Sequence, residues 1–282
     1  MTTIIGCDFT SRPTRAKPIT VAVASYDALL DPKTLWIRAL HPLDSLEKFE
    51  SFLTHDSSTL SKPWVGGFDL PFGLPRELIE HLDWPNTWLS CMQHYCSLER
   101  SEIREIFKAF CSARAVGSKF AHRATDLIAK SSPSMKWINP PVAYMLHAGV
   151  PILIKAKVSL PGLLIGDPSK IGLEAYPGKL AKEVVGNKSY KSDDRKKQNL
   201  ERLHVREHLV SALMEGKHSL GIELKLSKSI ASQLVEDASG DSLDAVLCAL
   251  QSAWGVRQNH LGDPLYGLPG QMDKLEGWIL TC

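Results

Sequence analysis

Thr3-Ile4-Ile5-Gly6-Cys7-Asp8 decides how this chain is read. Its β-branched and small apolar residues form a short buried strand, and the strand ends in a carboxylate. A polar, basic turn from Thr10 to Lys17 follows it. Next comes Ile19-Thr20-Val21-Ala22-Val23-Ala24, a second strand, and then Leu35-Trp36-Ile37-Arg38-Ala39-Leu40, a third. Strands in such quick succession predict an antiparallel meander. Asp44 is placed to cap an amphipathic helix with Leu46, Phe49, Phe52 and Leu53 on one face.

Farther out, Trp64-Val65-Gly66-Gly67-Phe68-Asp69 is again an apolar strand closed by an acid. Leu70 to Pro75 makes a stiff turn, with Pro75 suited to the first turn of a helix. Residues 86–149 carry an irregular helical pattern with several aromatics, the mark of a helical insertion. Ile171-Gly172-Leu173-Glu174-Ala175-Tyr176-Pro177 predicts a further strand with an acid near its end. Asp194 to Glu215 reads as one long charged helix, Lys225 to Glu236 as another, and Asp241 to Trp254 as an apolar helix opening with two aspartates. Three antiparallel strands followed by strands alternating with helices imply an α/β fold, a mixed sheet with helices on both faces. No repeat or linker interrupts residues 1–282, so one domain is expected, with 86–149 inserted in it.

Bulk properties narrow the function classes. With 282 residues the chain can bury a large core. The formal net charge is +2, so any affinity for nucleic acid has to come from local basic patches. No signal-peptide pattern and no apolar run of membrane-spanning length occurs, which predicts a cytoplasmic protein without a membrane partner. The six cysteines follow no zinc or disulfide spacing and are expected as reduced thiols. Cys91, His94 and Cys96 lack a second ligand pair, so they read as one side of a helix.

The acids carry the chemistry. Asp8 and Asp69 end strands, Glu174 sits near the end of a third, and Asp241 and Asp244 lie three apart on one helix face. In open α/β sheets, ligands bind beyond the carboxyl ends of the strands. Carboxylates gathered there repel one another unless a cation neutralises them, and oxygen ligands suit magnesium or manganese. Two such ions about 3.5–4 Å apart activate water and stabilise the leaving oxygen in phosphodiester cleavage. Each acid also has a plainer reading: Asp8 can open a turn, Asp69 and Asp241 can cap, and Glu174 can pair with a cation. Asp244 lies too far into its helix to be a cap.

Arg12, Arg15 and Lys17 follow Asp8 directly and are placed to hold phosphates. Lys188, Lys191, Arg195, Lys196 and Lys197 form a second basic run that also suits a solvated face. His122, Arg123, Lys130, Lys136 and Trp137 mix cations with an aromatic, a combination that can grip a strand.

Ile5-Gly6-Cys7-Asp8, Gly67-Phe68-Asp69-Leu70-Pro71-Phe72-Gly73, Glu174-Ala175-Tyr176-Pro177 and Asp241-Ser242-Leu243-Asp244-Ala245 occur in an order that resembles the family called domain of unknown function 429. Ser189-Tyr190-Lys191-Ser192-Asp193 and Glu276-Gly277-Trp278-Ile279 belong to the same likeness, which spans essentially the whole chain. That family is described as predicted nucleases of the ribonuclease H-like fold. The pair Asp241 and Asp244 also resembles the aspartates on the last helix of Holliday-junction resolvases. The resemblance implies Asp8, Asp69 and Asp244 as metal ligands and DNA or RNA as substrate; Glu174 joins that metal set from a strand that the resolvase likeness does not predict, and the oligomeric state stays open, with a homodimer as one option.

Two other classes remain open at this point. An ATP-using phosphotransferase of the actin, Hsp70 and sugar-kinase type would need a glycine-rich loop after the first strand. Phe9-Thr10-Ser11-Arg12 contains no glycine there. A non-catalytic nucleic-acid-binding module would have no use for the full set of acids.

Overall fold

The computed structural model describes residues 1–54, 60 and 63–282. In chain order its elements are β1 (Thr2–Asp8), β2 (Ile19–Asp27), β3 (Asp31–Leu43), α1 (Leu46–Thr54), β4 (Trp64–Asp69), α2 (Arg76–His81), α3 (Trp88–Ser97), α4 (Arg100–Ser112), α5 (Ala124–Ala129) and α6 (Val142–Lys155). They continue with β5 (Val158–Ser159), β6 (Asp167–Glu174), α7 (Pro177–Val185), α8 (Leu200–Met214), β7 (Glu223–Lys225), α9 (Lys228–Glu236) and α10 (Asp241–His260).

The described strands form one sheet of seven in the order β5-β6-β4-β1-β2-β3-β7. β1, β2 and β3 pair antiparallel, as the sequence predicts. β4 joins β1 in parallel, and β6 joins β4 in parallel. The fold is therefore α/β with a mixed sheet. Among the described residues, no helix is long and apolar enough to cross a membrane.

Strand alternation divides the core in two. Ile5 and Cys7 of β1 join Phe49 of α1, Tyr95 of α3 and Phe107 of α4 on one face. Ile4 joins Leu209 of α8 and Leu247 of α10 on the other. Each buried isoleucine, leucine or phenylalanine among them contributes about 1.5–3 kcal/mol through loss of contact with water. α10 lies very close to the sheet because β1 and β4 carry glycines beneath it. A Cβ at Gly6 would strike the Ala245 carbonyl and the Ala249 backbone, and one at Gly67 would meet the Cys248 carbonyl at 2.6 Å.

Several element boundaries differ from expectation. Ser45, not Asp44, caps α1, accepting from the Lys48 amide at 3.2 Å. Asp44 instead pairs with the Lys48 ammonium at 2.7 Å. The long helix expected from Asp194 is broken: Arg195–Lys197 form one 3₁₀ turn, and Asn199 starts α8 by accepting from the Arg202 amide at 3.0 Å. A good capping side chain there favours a new start over continuation. Lys225 ends the short strand β7 beside β3, and Ser227 caps α9 after it. α10 runs past Trp254 to His260.

Candidate functional site

The glycine stripe and strand parity together position the acids. Ile4, Gly6 and Asp8 share one face of β1, and Val65, Gly67 and Asp69 share the matching face of β4. Asp8 and Asp69 lie opposite each other in the parallel register. Both therefore face the start of α10, which the close approach brings down over the strand ends. Gly240 turns the chain into α10 with φ of 78°. Asp237 accepts from the Ser242 amide at 2.9 Å and performs the capping. Asp241 is thus not the cap, and its carboxylate pairs with the Lys17 ammonium at 2.9 Å. Lys17 also holds Asp193 at 2.6 Å, tying the β1–β2 turn to the loop before α8.

Asp244 is fully buried, at 0% exposure. One of its oxygens accepts from the Tyr190 hydroxyl, and the other forms an ion pair with Lys191. The neighbouring acids feel this crowding. Burial, then the charges of Asp244 and Asp241, hold the Asp8 carboxyl well above the usual range despite Lys191. Asp69 is pushed up to about 7, by burial first and by Asp244 next. Burial also raises Asp241, against the pull of Lys17. For Lys191 burial acts downward, but Asp244, Tyr190 and Asp8 outweigh it and keep the side chain charged. Asp8, Asp69 and Asp244 thus make an acidic cup with a lysine ammonium in it.

The donor set suits a hard divalent ion in kind: carboxylate oxygens from two strands and a helix. Lys191 is a stand-in cation there. Among the described residues, no group of three or more His, Cys, Asp or Glu is gathered as a ready metal site. Both Asp244 oxygens are in use, so an ion would need Lys191 to withdraw.

Glu174 is committed elsewhere, for a reason of parity. It pairs in register with Phe68, not with Asp69, so it faces the opposite side of the sheet. There it holds Arg123 with contacts of 2.6 and 2.8 Å and accepts from the Phe72 amide at 2.9 Å. Burial raises its pKa, and Arg123 opposes that rise. Arg123, expected to grip a nucleic-acid strand, is instead 2% exposed and also pairs with Asp126 at 2.8 Å. Removing Arg123 would strand two buried carboxylates.

Of the other expected cations, Arg12 and Arg15 are exposed, and Arg15 only approaches Asp44 at 4.0 Å. His122 and Lys130 are exposed, Lys136 is half-buried, and Trp137 is spent packing on Phe120 and Phe107. Cys91 is buried, and the His94 ring stacks edge-on to Trp84 at 5.0 Å. Tyr190, Asp237 and Tyr176 escaped the sequence reading. Tyr190 adjoins Lys191 and Tyr176 lies two residues after Glu174, both within stretches quoted for the family likeness, but neither was assigned a role. A cavity of about 250 Å³ opens beside Asp69 and Lys191, with Tyr176 and side chains from the 86–149 segment on its wall.

Comparison with protein-family models, curated proteins and solved structures finds no match for this chain.

Proposed function

We propose that this chain is a metal-dependent nuclease on a ribonuclease H-like fold, cleaving phosphodiester bonds of DNA or RNA. The observation that carries the reading is the meeting of Asp8, Asp69 and Asp244, remote in sequence, at one end of the sheet around a resident cation. An antiparallel meander joined to parallel strands, with helices on both faces, agrees with that fold, and so does the resemblance to domain of unknown function 429. Asp8, Asp69 and Asp244 would hold magnesium or manganese once Lys191 leaves Asp244. Such an ion supplies Lewis acidity and makes water nucleophilic near neutral pH. The chain's own groups do the positioning. Tyr190 fixes the Asp244 carboxylate, and Lys17 keeps Asp241 and the loop before α8 in place. Lys191, once released, is free to pair with a phosphate oxygen.

One observation favours a second reading, a non-catalytic binding module on the same fold. The Lys191–Asp244 pair already neutralises part of the cup without any metal.

The test offers labelled single-stranded, duplex, hybrid and branched substrates with manganese. Cleavage by the wild type, reduced about 10²–10³-fold or more in Asp244→Asn, is expected for a group that organises transition-state charge. Absence of cleavage on every substrate, together with binding indifferent to Asp8→Asn and Asp244→Asn, would favour the module.

A further inference from the structure

We infer that the cavity beside Asp69 and Lys191 is a subsite for one unpaired nucleobase. The substrate would then present a strand end or a flipped-out nucleotide, not a continuous duplex. This inference rests on the phosphodiesterase reading of the neighbouring acids.

Size argues first. The cavity holds about 250 Å³, below the roughly 300–1,000 Å³ of pockets that take drug-sized ligands. One base with part of its sugar suits that space better than a base pair does. The wall argues next. Leu70, Pro71, Val142, Met145 and Ile279 line it, with the ring of Tyr176. That ring is braced: a Cβ added at Gly178 would meet it at 2.9 Å. An apolar wall with a fixed aromatic face is the surface on which bases stack.

The polar groups on the wall are mostly satisfied by one another. Arg123 and Glu174 neutralise each other, and the Ser131 hydroxyl donates to Asp126 at 3.1 Å. Asp126 adds a second carboxylate to the same guanidinium, so this part of the wall carries a surplus of negative charge and favours a neutral, flat group over an anion. Ser132 also lines the cavity, and a serine hydroxyl can donate to or accept from a base edge. Asp69 and Lys191 line the cavity and also belong to the cup. A base seated inside would thus carry its attached phosphodiester toward the acids. Taking a base out of its stack to reach a site is what enzymes acting on single nucleotides do.

The test uses the full chain in magnesium buffer and titrates the common nucleoside 5′-monophosphates and ribose 5-phosphate by calorimetry. At least one nucleotide is expected to bind about tenfold or more tightly than the sugar phosphate, the difference being the base. Met145→Trp, which fills the cavity, should erase that difference, with Val142→Phe as a second filling variant if the first fails to fold. Equal affinity of wild type for nucleotides and ribose 5-phosphate overturns the inference without any variant. A nucleotide preference that survives both fillings in folded protein overturns it as well. Hydrolysis of bis(4-nitrophenyl) phosphate with manganese, a substrate without a nucleobase, tests the phosphodiesterase reading separately. Its absence together with no cleavage of any labelled nucleic acid would sink that reading, while the nucleotide-to-sugar-phosphate ratio would still decide the cavity.

Discussion

Asp69 holds a proton to about pH 7, whereas a free aspartate loses it near 3.8. A carboxyl whose folded pKa is raised binds its proton more tightly in the native state than in the unfolded state. Stability therefore falls as pH rises from about 4 to about 7, and the whole penalty stands above that window. Asp8 shifts in the same direction. Asp69→Asn, which cannot ionise, should stabilise the protein at pH 8 by about 1–3 kcal/mol after allowance for its partial exposure, and hardly at all at pH 4. Thermal melts of both proteins across that range check this, and an offset that ignores pH would contradict it. Asp8, Asp69 and Asp244 were legible in the sequence because each acid adjoins a run of apolar residues that has no ordinary use for it. Glu174 offered the same cue, yet its side of the sheet depends on which residue of β4 it meets, and register is not written locally. The roles of Lys191 and Arg123 were hidden for a related reason: a cation's partner is set by folding, and Asp244 and Glu174 lie far off in the chain, although Asp126 sits three residues from Arg123.

At the scale of elements, α10 and its glycines matter most. Gly6→Ala would drive a methyl group into the Ala245 carbonyl and the Ala249 backbone, so helix and strand must separate. A loss of about 1–3 kcal/mol or more is expected, the usual result of overfilling a tight contact, and Asp244 should shift away from Asp8 with it. Gly270→Ala, where an added Cβ meets nothing within 4 Å, serves as the control and should stay within about 0.5 kcal/mol. Urea denaturation of the two variants compares them directly, and equal effects would contradict the close-approach argument. The principal strands and α10 were readable from alternation and apolar runs. β5 and β7 were not, because two or three residues carry no period to detect. The break before α8 hinged on Asn199, a capping residue lost among neighbouring charges.

For the whole molecule, a net charge of +2 supplies almost no long-range pull on a polyanion. Binding of single-stranded nucleic acid should depend on a few exposed cations, with Arg12 and Arg15 foremost. Each phosphate neutralised on a single strand steepens the fall of log affinity with log salt by roughly 0.7. The double variant Arg12→Ala/Arg15→Ala should therefore flatten that slope by about 1.4 if both touch phosphates. Anisotropy titrations over a range of salt measure it, and an unchanged slope would remove both arginines from the contact. The α/β class and the helices on two faces were legible at this scale, since they follow from element order alone. The two-sided sheet also acts as a bulkhead. Asp8 and Asp69 lie on one side and the Arg123–Glu174 clasp on the other, yet the Glu174 charge still reaches Asp69 and raises its pKa, so a replacement at the clasp is felt in the cup. The two compartments adjoin only where the strands run out.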